Sequence, residues 1–321
     1  MSALQDWLAR GAGFDCEYGG GLSNHLPMAL WALHRLGADE ARIDSFARGY
    51  STRLAPAPAT QRWPAGDPWQ ARLGDRAAWP AYRSLFVDWL KAEYAGDVLA
   101  QVLPVLMQGV GAAAFHGVIR TAYAVQSAHR QELADALAYW ACRWLPLGPC
   151  EAPAGTEPDP ARLLPALAVP KEEHDLIFQA MTAAAQLPGF DATVARLAID
   201  ERTLTRLATL AAEVHAASGG NFVVLHLLTS AHAVRELLPF VDGPEAQRAA
   251  VADYWRAYAA AAAASGARPR PEPALRPWPD IVAHAIASDD DHVIKLVHSA
   301  QEQHRLLGGP AWQAAASAVM G

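Results

Sequence analysis

Cysteine is nearly absent: Cys16, Cys142 and Cys150 are the only three in 321 residues, and none forms a CxxC pair. An odd, sparse set excludes a disulfide framework and a cysteine-based zinc site. Basic blocks are missing too. Lys plus Arg number 26 against 33 Asp plus Glu, a formal net charge of -7. Phosphate neutralisation needs clustered cations, so nucleic acid is excluded as a partner. Charged residues make up only 18% while hydrophobic ones reach 52%, which rules out a disordered or fibrous chain. The opening MSALQDWLARGAG has an acidic residue and no apolar run. No secretory signal is expected from it, and the expected compartment is the cytoplasm.

One uncharged run is long enough for a membrane span, the 22 residues 98–119. It contains Gln101, Pro104, Gln108 and His116, and nothing else in the chain matches it. A helix apolar all round belongs in the centre of a large soluble domain, so no membrane partner is expected.

Ala and Leu are abundant, β-branched runs are scarce, and apolar residues recur at three and four. This pattern predicts an all-α fold, with helices at about 24–36, 77–94, 97–129, 131–144, 171–187, 192–217, 220–239, 245–265, 276–287 and 289–307. Loops rich in Pro and Gly fall at 55–80, 145–160 and 266–280. None separates stretches of different composition, so one helical domain over 1–321 is expected. No repeat of fixed period supports a solenoid.

Histidine is what the chain has in excess, twelve residues among few charges. Imidazole is the commonest metal ligand and an acid/base at neutral pH. HExxH is absent, so any metal site must draw ligands from separate helices. His25 (SNHLPMALWAL), His116 (AAFHGVIRTAYAV), His226 (FVVLHLLTSAHA) and His292 (SDDDHVIKLVHSA) each stand on or beside an apolar helical face. One buried neutral His is ordinary; four on four buried segments need partners, and a shared metal would serve all of them. His34 lies about 180° around the helix from His25, and His304 about 120° from His292, so neither can face the same centre. Lys295 shares the face of His292 and sits between Ile294 and Leu296. Its alternatives are a snorkelling surface lysine or a member of the site, either neutral or carboxylated, since an ammonium has no lone pair. Ser288-Asp289-Asp290-Asp291 reads as an N-cap with a capping box ahead of that helix.

Asn24-His25-Leu26, then Phe115-His116-Gly117-Val118-Ile119, then Leu225-His226-Leu227-Leu228-Thr229, then Asp290-Asp291-His292-Val293-Ile294-Lys295-Leu296 follow one another along the chain. This ordered set resembles the questin oxidase-like family of fungal and bacterial proteins. That family's pattern has NH before a leucine-rich helix, FHxxI, an LxH-x-hT segment and DDEHVxKL near the C-terminus. The resemblance spans residues 24 to 296. It implies a helical oxidoreductase that uses dioxygen to open a ring of an aromatic polyketide of the anthraquinone type. It also implies a mononuclear non-heme iron, Fe(II), held by His25, His116, His226 and His292 with a carboxylated Lys295. The family pattern has further His where this chain has Met28-Ala29 and Arg120, so the substrate can differ. Arg120, one turn after His116, could face an acidic or phenolate substrate or form an ordinary ion pair.

The family is associated with NADPH-dependent oxidation, yet no flavin or NAD(P) motif is present. Residues 109–114 (GVGAAA) fit GxGxxA but lack a preceding strand and a following acidic residue. Small residues permitting close approach explain them better. Two other function classes compete. His174-Asp175 in KEEHDLIF is the dyad of an all-α HD-type metal phosphohydrolase, although it lies in a charged stretch. A non-catalytic helical binding protein would use its His only for internal hydrogen bonds. Eleven Trp could line a pocket for a flat ligand or simply fill the core.

Overall fold

The computed structural model describes residues 2–148, 155–270 and 274–320. Cys150 and parts of the loops expected at 145–160 and 266–280 lie outside the described residues. Helix α1 (Ala3–Gly11) leads into a two-residue antiparallel hairpin, β1 (Glu17–Tyr18) with β2 (Leu22–Ser23), and then α2 (Leu26–Leu36) and α3 (Glu40–Ser51). An irregular stretch with two short 3-10 turns precedes α4 (Trp79–Ala92), α5 (Ala95–Leu106), α6 (His116–Ser127) and α7 (Arg130–Cys142). The second half contains α8 (Ile177–Ala185), α9 (Phe190–Val194), α10 (Thr203–Ala217), α11 (Phe222–Leu237), α12 (Pro244–Ala264), α13 (Trp278–Ala287), α14 (Asp291–Leu307) and α15 (Ala311–Ser317). Helix accounts for 65% of the chain, so the all-α expectation holds. No helix among the described residues is long and apolar enough to cross a membrane.

Helices α6 and α11 form the centre. Nearly every side chain of α6 is buried, and α11 is buried from Val224 through Val234. Helix α6 packs on α2, α7 and α11, while α14 packs on α2 and α11. One continuous set of buried apolar side chains runs from Leu4 to Ala316. The tryptophans belong mainly to it: Trp79 and Trp140 are fully buried, and Trp31, Trp63, Trp69, Trp89 and Trp144 pack against it from its edge.

The helix expected over 97–129 is broken. Helix α5 ends at Leu106, a 3-10 turn covers Met107–Gly109, and Ala113, Ala114 and Phe115 take left-handed φ values of 46°, 56° and 69°. At Gly109 a Cβ would lie 2.2 Å from the Trp144 indole, so the small residue serves close approach to that ring, with no strand before it. The break matters because it makes His116 the first residue of a helix. The 171–187 expectation also shortens: α8 starts at Ile177, and the charged KEEHD stretch lies ahead of it. Residues 192–217 divide into the end of α9 and α10. Helices α1, α3 and α15 were missing from the expectation, although Ser2 and Asp39 cap the first two as N-cap side chains should.

Candidate metal centre

Asn24 builds the first corner. Its side chain accepts from the Leu26 N–H at 3.0 Å and donates to the Asp15 carbonyl at 3.0 Å, which pins the start of α2. His25 is therefore the N-cap of α2, its own N–H donating to the Tyr50 hydroxyl at 3.1 Å. The left-handed turn before α6 delivers His116. Asn221 caps α11 by accepting from the N–H groups of Val223 and Val224, which places His226 in the second turn. Asp290 accepts from the His292 N–H at 2.8 Å and is the N-cap of α14. The cap is thus Asp290, while Ser288, two residues earlier, accepts from the Asp290 N–H.

Four helix starts converge. The rings of His25 and His116 stack at 4.5 Å with 11° between planes. His292 stands 4.8 Å from His25 and 5.5 Å from His226, and His226 stands 5.0 Å from His116. One nitrogen from each of His25, His116 and His292 falls within 4.8 Å of the others, a grouping that could hold a metal ion. His25, His116 and His226 are buried, and His292 is partly open.

The hydrogen bonds decide which nitrogen is available. His25 Nδ1 bonds the Asp291 carboxylate, His116 Nδ1 bonds the Ala113 carbonyl, and His226 Nδ1 donates to the Phe222 carbonyl at 2.8 Å. A carbonyl can only accept, so it holds the proton on Nδ1 and leaves the lone pair on Nε2. The Nε2 atoms of His25 and His116 are buried with no hydrogen-bond partner. Burial holds the His25 imidazolium down to about 3, and it also drives His116 and His226 well below the usual imidazole range. Burial thus favours the neutral form of His25, His116 and His226, the form ligation requires.

Lys295 is 2% exposed, and its Nζ lies 3.5 Å from Asp291 Oδ2. It is no snorkelling surface lysine. Burial lowers its pKa, with Asp291 opposing. Arg120 is also buried, and its Nε and Nη2 bond Glu132 at 2.6 and 2.9 Å. The ion-pair alternative accounts for two of its three nitrogens; Nη1 has no partner.

Two residues escaped the sequence reading. Asp291 looked like one of several capping acids, yet it is buried against His25, with Oδ2 3.4 Å from His292 Nδ1. Phe222 is 52% exposed, with its ring 4.9 Å from His226 and 4.7 Å from His292. It covers the open edge of the cluster. His34 is exposed on the far side of α2, and His304 bonds the Gly309 carbonyl near the surface, as their helical phases require. Among the described residues, no cluster of metal-ligand type includes His174.

The donor set fits a metal: Nδ1 is anchored in His25, His116 and His226, the Nε2 atoms of His25 and His116 are buried without a partner, and one buried carboxylate stands beside them. A sequence profile of questin oxidase-like proteins matches residues 22–300. No curated protein matches the chain.

Proposed function

The chain belongs to the questin oxidase-like family, and from that premise we propose that it is a metal-dependent oxygenase acting on a quinone-like or polyketide aromatic with ring cleavage. The family supports an oxidoreductase. The observation that carries the finer reading is the convergence of four imidazoles, two with buried unpartnered Nε2 atoms. His25, His116, His226 and His292 would hold the ion. Bound there, Fe(II) would supply the one-electron chemistry that activates dioxygen, which no motif for an organic cofactor in this chain provides.

The protein's own groups prepare that site. His25 is the N-cap of α2, His116 and His292 lie within the first turn of α6 and α14, and His226 lies in the second turn of α11. Helix N-termini carry partial positive charge, which opposes imidazolium formation and favours an anionic oxygen or phenolate. Asp291 orients His25 and balances part of that charge. Burial lowers the Lys295 pKa against the pull of Asp291, the direction that favours a neutral amine. In our reading the amine adds carbon dioxide, forming a carbamate and releasing one proton to solvent. The carbamate then offers an anionic oxygen beside the imidazoles. The exposed ring of Phe222 presents an aromatic face at the rim, suited to a planar substrate.

The test is metal content and intact mass of anaerobically purified protein, followed by oxygen uptake with a hydroxyanthraquinone. Stoichiometric iron, a bicarbonate-dependent mass increase of one carbon dioxide and substrate-dependent uptake are expected. Metal-free protein that keeps full activity would reject the reading. Protein with neither metal nor turnover would instead favour a non-catalytic binding role.

A further inference from the structure

At the other end of α11 the surface opens into a groove of about 720 Å³ between α10, α11 and α12. This is the size range of small-molecule sites. Its lining includes four guanidiniums, Arg202, Arg206, Arg235 and Arg248, against two carboxylates, Asp200 and Glu201. That is a local positive excess on a chain whose net charge is -7. Leu204, Leu238 and Val251 supply apolar wall.

The arginines are only partly used. Arg235 is half-buried, its Nε donating to Gln303 Oε1 and its Nη2 to Thr205 Oγ1, both at 3.2 Å. It forms no ion pair with a carboxylate among the described residues. Burial lowers its pKa, with neighbouring Glu236 opposing. Arg206 spends Nη2 on Asp200 at 2.6 Å, while its Nε is buried without a partner. Arg248 is exposed on the α12 rim. A half-buried guanidinium whose donors meet only neutral oxygens gains strongly from pairing with an anion.

We infer that this groove binds a phosphate monoester carried on a planar or apolar body. A carboxylate is served by one bidentate fork, whereas guanidiniums arriving from three helices suit the three oxygens of a phosphate dianion. The apolar wall takes the body of the ligand. The groove is separate from the metal centre, because Arg235 lies nine residues beyond His226 on α11, about 13 Å along the axis at the helical rise. It therefore stands or falls independently of the proposed oxygenase activity.

The experiment is calorimetric titration of the whole protein with AMP in phosphate-free buffer, alongside adenosine and benzoate. Arg235→Gln and Arg248→Ala are titrated in parallel, with melting curves as a check on folding. One saturable AMP site is expected, weakening as salt rises. Arg235→Gln should weaken it about tenfold or more and the exposed Arg248→Ala by about threefold. Adenosine should not saturate. If Arg235→Gln fails to fold, Arg248→Ala alone decides. Absence of saturable AMP binding, or wild-type affinity in the variants that fold, overturns the site. Benzoate binding as tightly as AMP overturns the phosphate assignment.

Discussion

Helices α6, α11 and α14 each place a His near the start and a second His or Tyr about two turns on, and the two sets behave differently. Near the helix starts stand His116, His226 and His292; six or seven residues further along stand Tyr123, His232 and His298. Both sets are buried or nearly so, and His232 and His298 come within 5.7 Å. In the first set, backbone carbonyls hold the proton on Nδ1 of His116 and His226 and leave the Nε2 lone pair free. In the second, Gln303 Oε1 already accepts from Arg235, so the amide NH2 of Gln303 donates to His232 Nδ1 at 3.1 Å. The lone pair of His232 is thereby used, and its proton sits on Nε2. His298 Nδ1 pairs with the Tyr123 hydroxyl at 3.0 Å. The Nε2 atoms of His116, His232 and His298 are all buried without a partner, so what separates His116 and His226 from His232 is the Nδ1 partner, a carbonyl acceptor in one place and an amide donor in the other.

The most severe way to break this contrast is to remove the imidazoles. Ala at His25, His116, His226 or His292 should abolish stoichiometric metal, while His232→Ala and His298→Ala retain it, read by mass spectrometry of the purified protein. Retention of metal by the His25 variant and all three first-set variants would dissolve the distinction.

A third environment gives a control outside both clusters. His215 on α10 is fully buried, and burial holds its pKa down to about 4 from 6.5, with the nearby Ala315 backbone opposing. Because the folded value is the lower one, the unfolded chain binds more protons below pH 6.5. Stability should therefore be constant above 6.5 and fall by about 1.4 kcal/mol per pH unit down to about 4 from this group. Urea midpoints of His215→Gln against the wild type, in chelator, should show a shallower decline. Identical slopes would mean His215 titrates freely in the folded protein.

Asp291→Asn should sharpen the role of the Nδ1 partner. Metal affinity is expected to fall about 10- to 100-fold with the fold intact, measured by competition with a chelator. The matching change in the second cluster is Tyr123→Phe, which strands His298 Nδ1. It should cost about 1–3 kcal/mol in denaturant unfolding and leave metal affinity unchanged. The smallest effect is expected at Phe222→Ala. The Phe222 carbonyl that anchors His226 survives the substitution, so metal content should hold while KM for an aromatic substrate rises about two- to tenfold. A fall in kcat with KM unaltered would take Phe222 away from substrate.

Much of the helical class was legible from spacing, since apolar periodicity is a local property that burial rewards the same way in any helical fold. The four His and Lys295 stood out in the sequence because imidazoles and an ammonium in apolar runs need partners, and the structure buries Lys295 and brings the four rings near one another. Asp291 was not, because a carboxylate at a helix start serves equally as an exposed cap, and only packing of α14 against α2 buries it on His25. Phe222 escaped for a related reason: its role lies in the ring's position beside His226 and His292, which no periodicity encodes. The break at residues 107–115 escaped because Gly109 and the alanines carry no strong stop signal, and the indole of Trp144 that Gly109 admits comes from a distant segment. By itself the sequence determined that this protein is helical and rich in histidines on its buried faces. Only the tertiary structure decided which imidazoles meet and which nitrogen each leaves free, because ring distances and Nδ1 partners depend on how helices far apart in the chain cross.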